Sequence, residues 1–184
     1  MQAIATDQLI DGCKKGDLMA QKNLFLKYKD MVYTLSLKYC KNSVEAEDNV
    51  HDVFIIIFET IHKFKKTGSF EGWIKRIAIY KAIDKYKRKK PFEYQDYISP
   101  ITTEVHIASS SMNIPLDMIL KAIQELPDRY RLVFNLYQMD KYSHKEIAAL
   151  LSISEGTSKS NLHRSKLLLK EKISTYATNM KLNS

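Results

Sequence analysis

Glycine, proline and cysteine are scarce in this 184-residue chain, which contains five, four and two of them respectively. So few glycines and prolines disfavour a glycine-rich phosphate loop and a fold with many tight turns. Cys13 and Cys40 form no Cys-x-x-Cys pair and no zinc-type cluster, so we expect reduced thiols and neither metal nor cofactor. Hydrophobic residues make up 45% and charged residues 27%, as in folded globular proteins. The composition therefore favours a folded, helical chain.

Long hydrophobic runs are also absent. The longest uninterrupted apolar run covers residues 53–58, far short of the roughly 20 residues that a membrane-spanning helix needs. The N-terminal residues are polar and lack the basic start and apolar core of a signal peptide. We therefore expect a cytoplasmic protein without stable membrane insertion.

Recognisable catalytic motifs are missing as well. The sequence contains no G-x-S-x-G, P-loop, Rossmann glycine pattern or H-E-x-x-H. A carboxylate site at Asp48 and Asp52, with His51 and His62 nearby, is the remaining alternative, but nothing in the sequence supplies a cleft for it. We therefore predict that the protein is not an enzyme and has no catalytic residues.

Positive charge is unevenly distributed along the chain. Residues 1–90 contain 18 basic and 11 acidic side chains, and residues 116–184 contain 11 basic and 7 acidic ones. Residues 91–115 contain three acidic side chains and no basic one, together with three prolines and a run of three serines. This composition is typical of a linker. The sequence predicts an all-α protein with two small helical domains, 1–90 and 116–184, joined by an acidic flexible linker, 91–115.

The clearest helical pattern lies between residues 46 and 64. Apolar residues at positions 50, 53, 54, 57, 58 and 61 form one stripe of an amphipathic helix. The opposite side carries an acidic row with one apolar member, which comprises Asp48, Asp52, Ile55 and Glu59. A solvated face accounts for the carboxylates but not for Ile55, so we predict that a protein partner covers this row.

A second helix is predicted from about Phe70 to the stop at Pro91. Between residues 75 and 90 it carries eight basic residues and one acidic residue, with Trp73 and Tyr80 close by. Cations that meet phosphates, beside rings that stack on unpaired bases, are typical of single-stranded nucleic-acid binding. The alternative places Phe70 and Trp73 in the core, and for Trp73 the core is the preferred interpretation.

The C-terminal domain contains a helix-turn-helix pattern. Ser143 and Glu146 are spaced as a capping box for a short helix over 144–150, and a longer helix over 155–173 follows a turn with a buried Ile153. The longer helix has leucines and two small serines on one side. Its other side presents groups that suit phosphates and guanine edges, namely Thr157, Lys159, Ser160, His163 and Arg164. The competing interpretation is an ordinary helical hairpin with a solvated basic face.

Several of these segments together carry a family resemblance. In the first domain they are residues 46–54 (AEDNVHDVF), residues 70–78 (FEGWIKRIA), Asp84 and Arg88. In the second they are residues 126–131 (LPDRYR), 143–148 (SHKEIA) and 155–164 (EGTSKSNLHR). The chain resembles bacterial RNA polymerase sigma factors of the sigma-70 family, and most closely the extracytoplasmic-function (ECF) group. The resemblance covers nearly all of the chain apart from the linker and the last few residues.

The resemblance implies a protein that binds core RNA polymerase and promoter DNA. The acidic row would contact the β′ clamp, with the β subunit as a further partner, and the implied residues are Asp48, Asn49, Asp52, Ile55 and Glu59. The loop 64–70 and the helix after it match the part that melts the −10 element and captures an unpaired base. The implied −10 residues are Phe70, Trp73, Tyr80, Lys81, Asp84, Lys85, Lys87 and Arg88.

The second domain matches the reader of the −35 element. The implied residues are Lys145, Gly156, Thr157, Lys159, Ser160, His163 and Arg164. After Ala78 the family commonly has Arg-Asn, whereas this chain has Ile79-Tyr80, so its −10 base preference is expected to differ. The resemblance also implies that the linker threads toward the polymerase active-site and RNA-exit channel, and that an anti-sigma factor is a candidate partner.

A function from another class competes with this interpretation. The alternative is a stand-alone helix-turn-helix transcriptional regulator whose N-terminal module senses a ligand. Such a regulator would not need the acidic row on the helix over residues 46–64, whereas a polymerase subunit would.

Overall fold

A computed structural model describes residues 5–89 and 114–182, which form eight α-helices and no strand. The predicted all-α fold is confirmed. The chain divides into two compact units, Met1–Asp84 and Lys85–Ser184. The predicted linker lies outside the described residues except for its last two positions, so its flexibility and the domain boundaries stay predictions.

The first unit contains three whole helices and most of a fourth, whose last residues, 85–89, fall in the second unit. They are α1 (Thr6–Lys14), α2 (Leu18–Tyr39), α3 (Ser43–Thr60) and α4 (Phe70–Lys89), with a 3₁₀ turn at Ile61–Lys63 after α3. Asp17 caps α2 by accepting hydrogen bonds from the amides of Met19 and Ala20, and Asn42 caps α3 by accepting one from the amide of Glu45. These caps satisfy backbone N–H groups that a first helical turn leaves unbonded.

The core of the first unit forms where α1 and α3 pack against α2, and Phe70 at the start of α4 contacts Tyr28 of α2. Helices α1 and α2 approach so closely that a Cβ atom at Gly12 would lie 2.6 Å from the Cβ of Ala20. The turn between them requires Gly16, whose φ is +78°. The apolar stripe predicted on α3 is confirmed, with Phe58 half-buried at its edge. The buried apolar side chains include Leu9, Ile10, Leu24, Val32, Val50, Val53, Phe54, Ile57, Ile61 and Ile74.

The second unit contains four whole helices. They are α5 (Leu116–Gln124), α6 (Asp128–Phe134), which continues into a π-helical turn at Asn135–Met139, α7 (His144–Leu151) and α8 (Glu155–Leu182). Helix α8 is nine residues longer than the sequence predicts. The extension still packs, since Ala177 is buried, and just before it the Nζ of Lys172 lies 2.8 Å from the Oε2 of Glu125.

A buried arginine secures the connection between α5 and α6. Arg131 is only 3% exposed. Its guanidinium donates to the backbone oxygens of Gln124 (3.0 Å) and Leu126 (2.8 Å) and pairs with Asp128 at 2.6 Å. These bonds satisfy carbonyls at the end of α5. The segment 126–131 contributes to the family resemblance, but its sequence does not predict this structural role for Arg131.

Candidate polymerase and nucleic-acid interfaces

The predicted acidic row on α3 reaches the surface. Asp48 and Glu59 are exposed, Ile55 is 56% exposed and Asp52 is half-buried. Asp52 is held by a salt bridge to Lys81 of α4, with 3.4 Å between Oδ2 and Nζ. An exposed isoleucine between carboxylates is the surface that the sequence predicted for a protein partner.

Asn49 is a correction to the predicted polymerase-binding residues. Its side chain is fully buried, and its Nδ2 donates to the hydroxyl of Ser36 on α2 at 2.9 Å. Its Oδ1 has no hydrogen-bond partner among the described residues. Asn49 lies one turn from Val53 and therefore belongs to the buried stripe. The polar amide suggests an exposed side chain, but the helical period places Asn49 on the buried face of α3.

Phe70 is a second correction. It is 7% exposed and packs in an aromatic cluster with Phe64 (5.1 Å between centroids), Trp73 (5.5 Å) and Tyr28 (5.6 Å). A ring enclosed on these sides cannot stack on an unpaired base. Phe70 begins α4 four residues before the buried Ile74, so the two side chains lie on one face. The core interpretation, which was preferred for Trp73, is therefore correct for Phe70, and Trp73 is half-buried.

The rest of the predicted −10 set lies along α4. Tyr80 is 40% exposed, whereas its neighbour Ile79 is buried. Asp84, Lys87 and Arg88 are exposed, and Lys81 and Lys85 are half-buried. The helix therefore presents one partly exposed ring together with several cations.

The capping box at the start of α7 is confirmed. The hydroxyl of Ser143 accepts from the amide of Glu146 at 3.2 Å, and the amide of Ser143 donates to the Oε2 of Glu146 at 2.8 Å. Hydrogen bonds from the Ser143 side chain and backbone lower the pKa of Glu146. Ser152 ends the helix in the left-handed conformation, with φ 56°. Ile153 in the turn is half-buried, not fully buried as predicted.

The outer face of α8 agrees with the predicted spacing. Gly156 and Lys159 are exposed, while Ser160, His163 and Arg164 are half-buried. Lys145, at the start of α7, is also exposed. The opposite side packs as predicted, since the serines at 158 and 165 are fully buried and leucines at 162 and 169 are buried.

Thr157 is a third correction. It is 3% exposed, and its Oγ1 lies 2.8 Å from the hydroxyl of Ser154. Ser154 also accepts from the Thr157 amide at 2.9 Å and thereby caps α8. Thr157 therefore stabilises the first turn of the helix and is too buried to contact a base. The position of Thr157, three residues after a serine cap, is the sequence signal that could have predicted its role in the first turn.

His144 is a structural residue that no sequence pattern indicates. Its ring stacks on Tyr137 with 4.4 Å between centroids, and its Nδ1 lies 2.9 Å from the hydroxyl of Ser158 on α8. Burial lowers the pKa of His144, and the positive charges of Lys159 and Lys166 lower it further against the opposing effect of Glu155. A neutral His144 therefore links α7 to the buried side of α8.

Neither a metal-ligating cluster nor a membrane-spanning helix occurs in residues 5–89 and 114–182. That part of the chain has no group of three or more His, Cys, Asp or Glu side chains placed to hold a metal ion. Nor does any helix within it combine the length and the apolarity that crossing a membrane requires. Cys13 and Cys40 are buried and form no disulfide in the described part of the chain. Burial, with a smaller effect from Asp17, raises the pKa of Cys13 to about 11.

Comparisons with known proteins identify the family. The family model described as Sigma-70 region 2 matches residues 24–92, and the one described as Sigma-70, region 4 matches residues 116–169. The chain is 32% identical over 172 residues to the ECF RNA polymerase sigma factor SigW of Bacillus subtilis, and this match covers 87% of the chain and 92% of SigW. The chain belongs to the ECF sigma factors.

Other relatives agree with this assignment. The sigma factor is 26% identical over 181 residues to the ECF RNA polymerase sigma-E factor of Escherichia coli K12, which covers 91% of the chain and 94% of that protein. A solved structure of the sigma factor RpoE from Bartonella quintana, in complex with the anti-sigma factor NepR, matches 83% of the chain with a TM-score of 0.50 and 20% identity. That structure supports the fold.

Family membership confirms the predicted function. The protein is a sigma factor for promoter-specific transcription initiation, and the stand-alone regulator is not favoured. Sigma factors bind core RNA polymerase and promoter DNA, and they are in general DNA-recognition proteins without catalytic activity.

Proposed function

We propose that the two units of this sigma factor divide promoter recognition between them. The first unit binds the β′ clamp of core RNA polymerase and opens the −10 element, and the second unit reads the −35 element. The β subunit is a further contact. The observation that carries the proposal is the outer face of α8, where two cations flank a serine and a histidine on a helix that Ser154 caps through the amide of Thr157.

The acidic row of α3 is the proposed polymerase-binding surface. It comprises Asp48, Asp52, Ile55 and Glu59, without the buried Asn49. Its carboxylates suit a basic partner, and an exposed Ile55 loses unfavourable contact with water once a partner covers it. The row lies opposite the buried stripe of α3, so a partner can cover it without disturbing the core.

The loop Lys65–Ser69 and the outer side of α4 form the proposed −10 surface. All five loop residues are exposed. Because Phe70 is buried, the partly exposed rings of Trp73 and Tyr80 are the candidates for stacking on an unpaired base. Lys81, Lys85, Lys87 and Arg88 supply positive charge for phosphates, and Asp84 is exposed among them. Ile79-Tyr80 then make the −10 preference differ from that of relatives with Arg-Asn at these positions.

The outer face of α8 and Lys145 form the proposed −35 surface. Gly156 lets the DNA backbone approach the helix start, where free amides and the helix dipole favour a phosphate. Lys159 and Arg164 are long enough to reach guanine O6 and N7 in the major groove, whereas Ser160 and His163 suit phosphates or thymine edges. Arg164 also lies 3.4 Å from the hydroxyl of Tyr130, which orients its guanidinium.

Substitutions of the proposed base contacts and of a proposed phosphate contact test the proposal. Arg164→Ala or Lys159→Ala should each change which −35 base pairs are tolerated, because loss of a good base contact costs roughly 1–3 kcal/mol at one position. Lys145→Ala, which removes a phosphate contact, should weaken binding equally across sequences and reduce the salt slope by about one. Both are measured by scoring a randomised −35 library with each variant holoenzyme. Identical sequence profiles for all variants would contradict base reading by α8.

Three further properties complete the proposal. The sigma factor acts in the cytoplasm, where bacterial RNA polymerase works, and catalyses no reaction of its own. An anti-sigma factor is a further candidate partner, and the solved RpoE structure contains one, NepR, in complex with that sigma factor. An exposed row of carboxylates around Ile55 is a surface that such a partner could share with the polymerase.

A further inference from the structure

Two buried aromatic residues flank the loop Lys65–Ser69. Phe64, just before the loop, and Phe70, just after it, are 8% and 7% exposed and lie 5.1 Å apart in an edge-to-face contact. The ends of the loop are therefore fixed by packing. Its five exposed residues include Lys66, which adopts the left-handed conformation with φ 57°. This conformation is sterically disfavoured for lysine, so contacts from another part of the chain must stabilise it.

Those contacts come from α1. The Nζ of Lys66 lies 3.4 Å from a carboxylate oxygen of Asp7 and 3.4 Å from one of Asp11. The Nζ of Lys14 donates a hydrogen bond to the backbone oxygen of Phe64 at 3.0 Å. Asp7, Asp11 and Lys14 are spaced i, i+4 and i+7, so they form one row along α1.

The position of this row explains why α1 can hold the loop. The neighbouring residues Leu9, Ile10 and Cys13 are buried, which fixes α1 in the first unit. Helix α1 lies before residue 24, where the match to Sigma-70 region 2 begins. Its contacts to the loop are therefore features of this chain that the family match does not include.

We infer that Asp7, Asp11 and Lys14 are positioning residues that hold the loop Lys65–Ser69 in the conformation that meets the opened −10 strand. The inference rests on the proposed −10 role of the loop. Lys66 then acts by anchoring the loop to α1 and not by binding a phosphate. The side chains of Asp7, Asp11 and Lys66 are 75%, 56% and 44% exposed, so each ion pair is weak, and the effect of removing both is moderate.

A crosslinking experiment tests the inference in the complete holoenzyme. A benzoylphenylalanine placed at the exposed Thr67 should crosslink to the non-template strand of the −10 element in the wild-type background. Asp7→Asn with Asp11→Asn should lower that yield roughly two- to fivefold. Lys14→Met should also lower the yield. Asp30→Asn with Glu47→Gln is the matched control, since it removes two exposed charges that form no ion pair with Lys66, and its yield should stay at the wild-type level.

A charge exchange separates positioning from phosphate binding. Asp7→Lys and Asp11→Lys, combined with Lys66→Glu, restore the attraction with reversed signs and should recover most of the yield. If Lys66 instead bound a phosphate, its replacement by Glu would repel the DNA and the yield would stay low, which would overturn the inference. Amide hydrogen exchange of residues 65–69 in the free sigma factor should be faster in the Asp7→Asn, Asp11→Asn variant than in the wild type. The charge-exchange variant should return it most of the way to the wild-type rate.

The outcomes distinguish this inference from the proposal on which it rests. No crosslink from the wild-type protein would overturn the −10 role of the loop, and the positioning role with it. A strong wild-type crosslink that is unchanged in the Asp7→Asn, Asp11→Asn variant would leave the −10 role intact and overturn the positioning role of α1 alone.

Discussion

The Nζ of Lys81 lies 3.4 Å from the Oδ2 of Asp52, so one salt bridge joins the acidic row of α3 to the basic helix α4. Asp52 belongs to the proposed polymerase-binding surface and Lys81 to the proposed −10 surface. A substitution at either residue therefore changes the surroundings of the other. Variants that test only one surface should leave this pair intact.

Asp48→Lys with Glu59→Lys is the variant that meets this condition. Both residues are exposed on the acidic row, so we expect affinity for core polymerase to fall at least tenfold while the fold is retained, because like charges across an interface are strongly disfavoured. Surface plasmon resonance with purified core polymerase measures the affinity, and circular dichroism measures the fold.

Asp30→Lys with Glu47→Lys is the matched control for this variant. It adds the same charge to the first unit at exposed positions outside the acidic row, and its affinity should stay close to that of the wild type. Wild-type affinity in the Asp48→Lys, Glu59→Lys variant would contradict docking through the acidic row.

Asn49→Leu should raise the free energy of unfolding of the first unit by about 1 kcal/mol. The substitution replaces a buried amide, whose Oδ1 has no partner in the described structure, with an apolar side chain of the same branching, and such a replacement removes a desolvation penalty. Ser36 keeps its hydrogen bond to the backbone oxygen of Val32 at 2.8 Å. Urea unfolding measures the change, with Glu47→Leu as an exposed control expected within about 0.5 kcal/mol of wild type. A lower stability for Asn49→Leu would show that the amide is needed.

The sequence predicts faces more reliably than it predicts the exposure of a single residue. Hydrophobic period located the buried stripes of α3 and α8, and the spacing of Ser143 and Glu146 located the start of α7. The three corrections, Asn49, Phe70 and Thr157, are residues whose chemical type suits a surface or a ligand as well as a core. Helical period places Asn49 and Phe70 on buried faces, and cap spacing places Thr157 beside Ser154, so the local pattern is the better guide where it disagrees with the chemical type of a residue.

Arg131 illustrates the same difficulty for a charged residue. A run of polar and charged residues around a proline suggests an exposed turn, yet the guanidinium satisfies two backbone carbonyls and a carboxylate inside the second unit. The π-helical turn that follows α6 is likewise not predicted by the sequence pattern.

Arg131→Leu should lower the free energy of unfolding of the second unit by about 3–5 kcal/mol. The substitution leaves the carboxylate of Asp128 and the carbonyls at the end of α5 without the donor that now satisfies them, and breaking a buried ion pair from one side typically has this cost. Thermal unfolding followed by circular dichroism checks the change. Lys121→Leu, on the exposed side of α5, should have an effect of about 0.5 kcal/mol or less. An equally small effect of Arg131→Leu would contradict the role assigned to the buried guanidinium.

His144 should make the stability of the second unit fall at acidic pH. Its pKa is lowered in the fold by burial and by Lys159 and Lys166, so the unfolded chain binds the proton more readily than the folded one. The stabilisation is fully present above the unfolded pKa of about 6.5 and is lost as the pH falls through the lowered folded value. Urea unfolding at about pH 5 and about pH 7.5 should therefore show a smaller difference in His144→Asn than in wild type. The same difference in both proteins would contradict the assignment.

Mapping of transcription start sites in vitro tests the central claim most directly. Bacterial core RNA polymerase transcribes genomic DNA of the source organism with and without the purified protein, and the RNA 5′ ends are sequenced. We predict a set of start sites that appears only with the protein and shares two sequence elements, near −10 and −35, with Lys159→Ala altering the upstream element alone. Identical start sites with and without the protein would contradict its assignment as a promoter-specific sigma factor acting through two recognition surfaces.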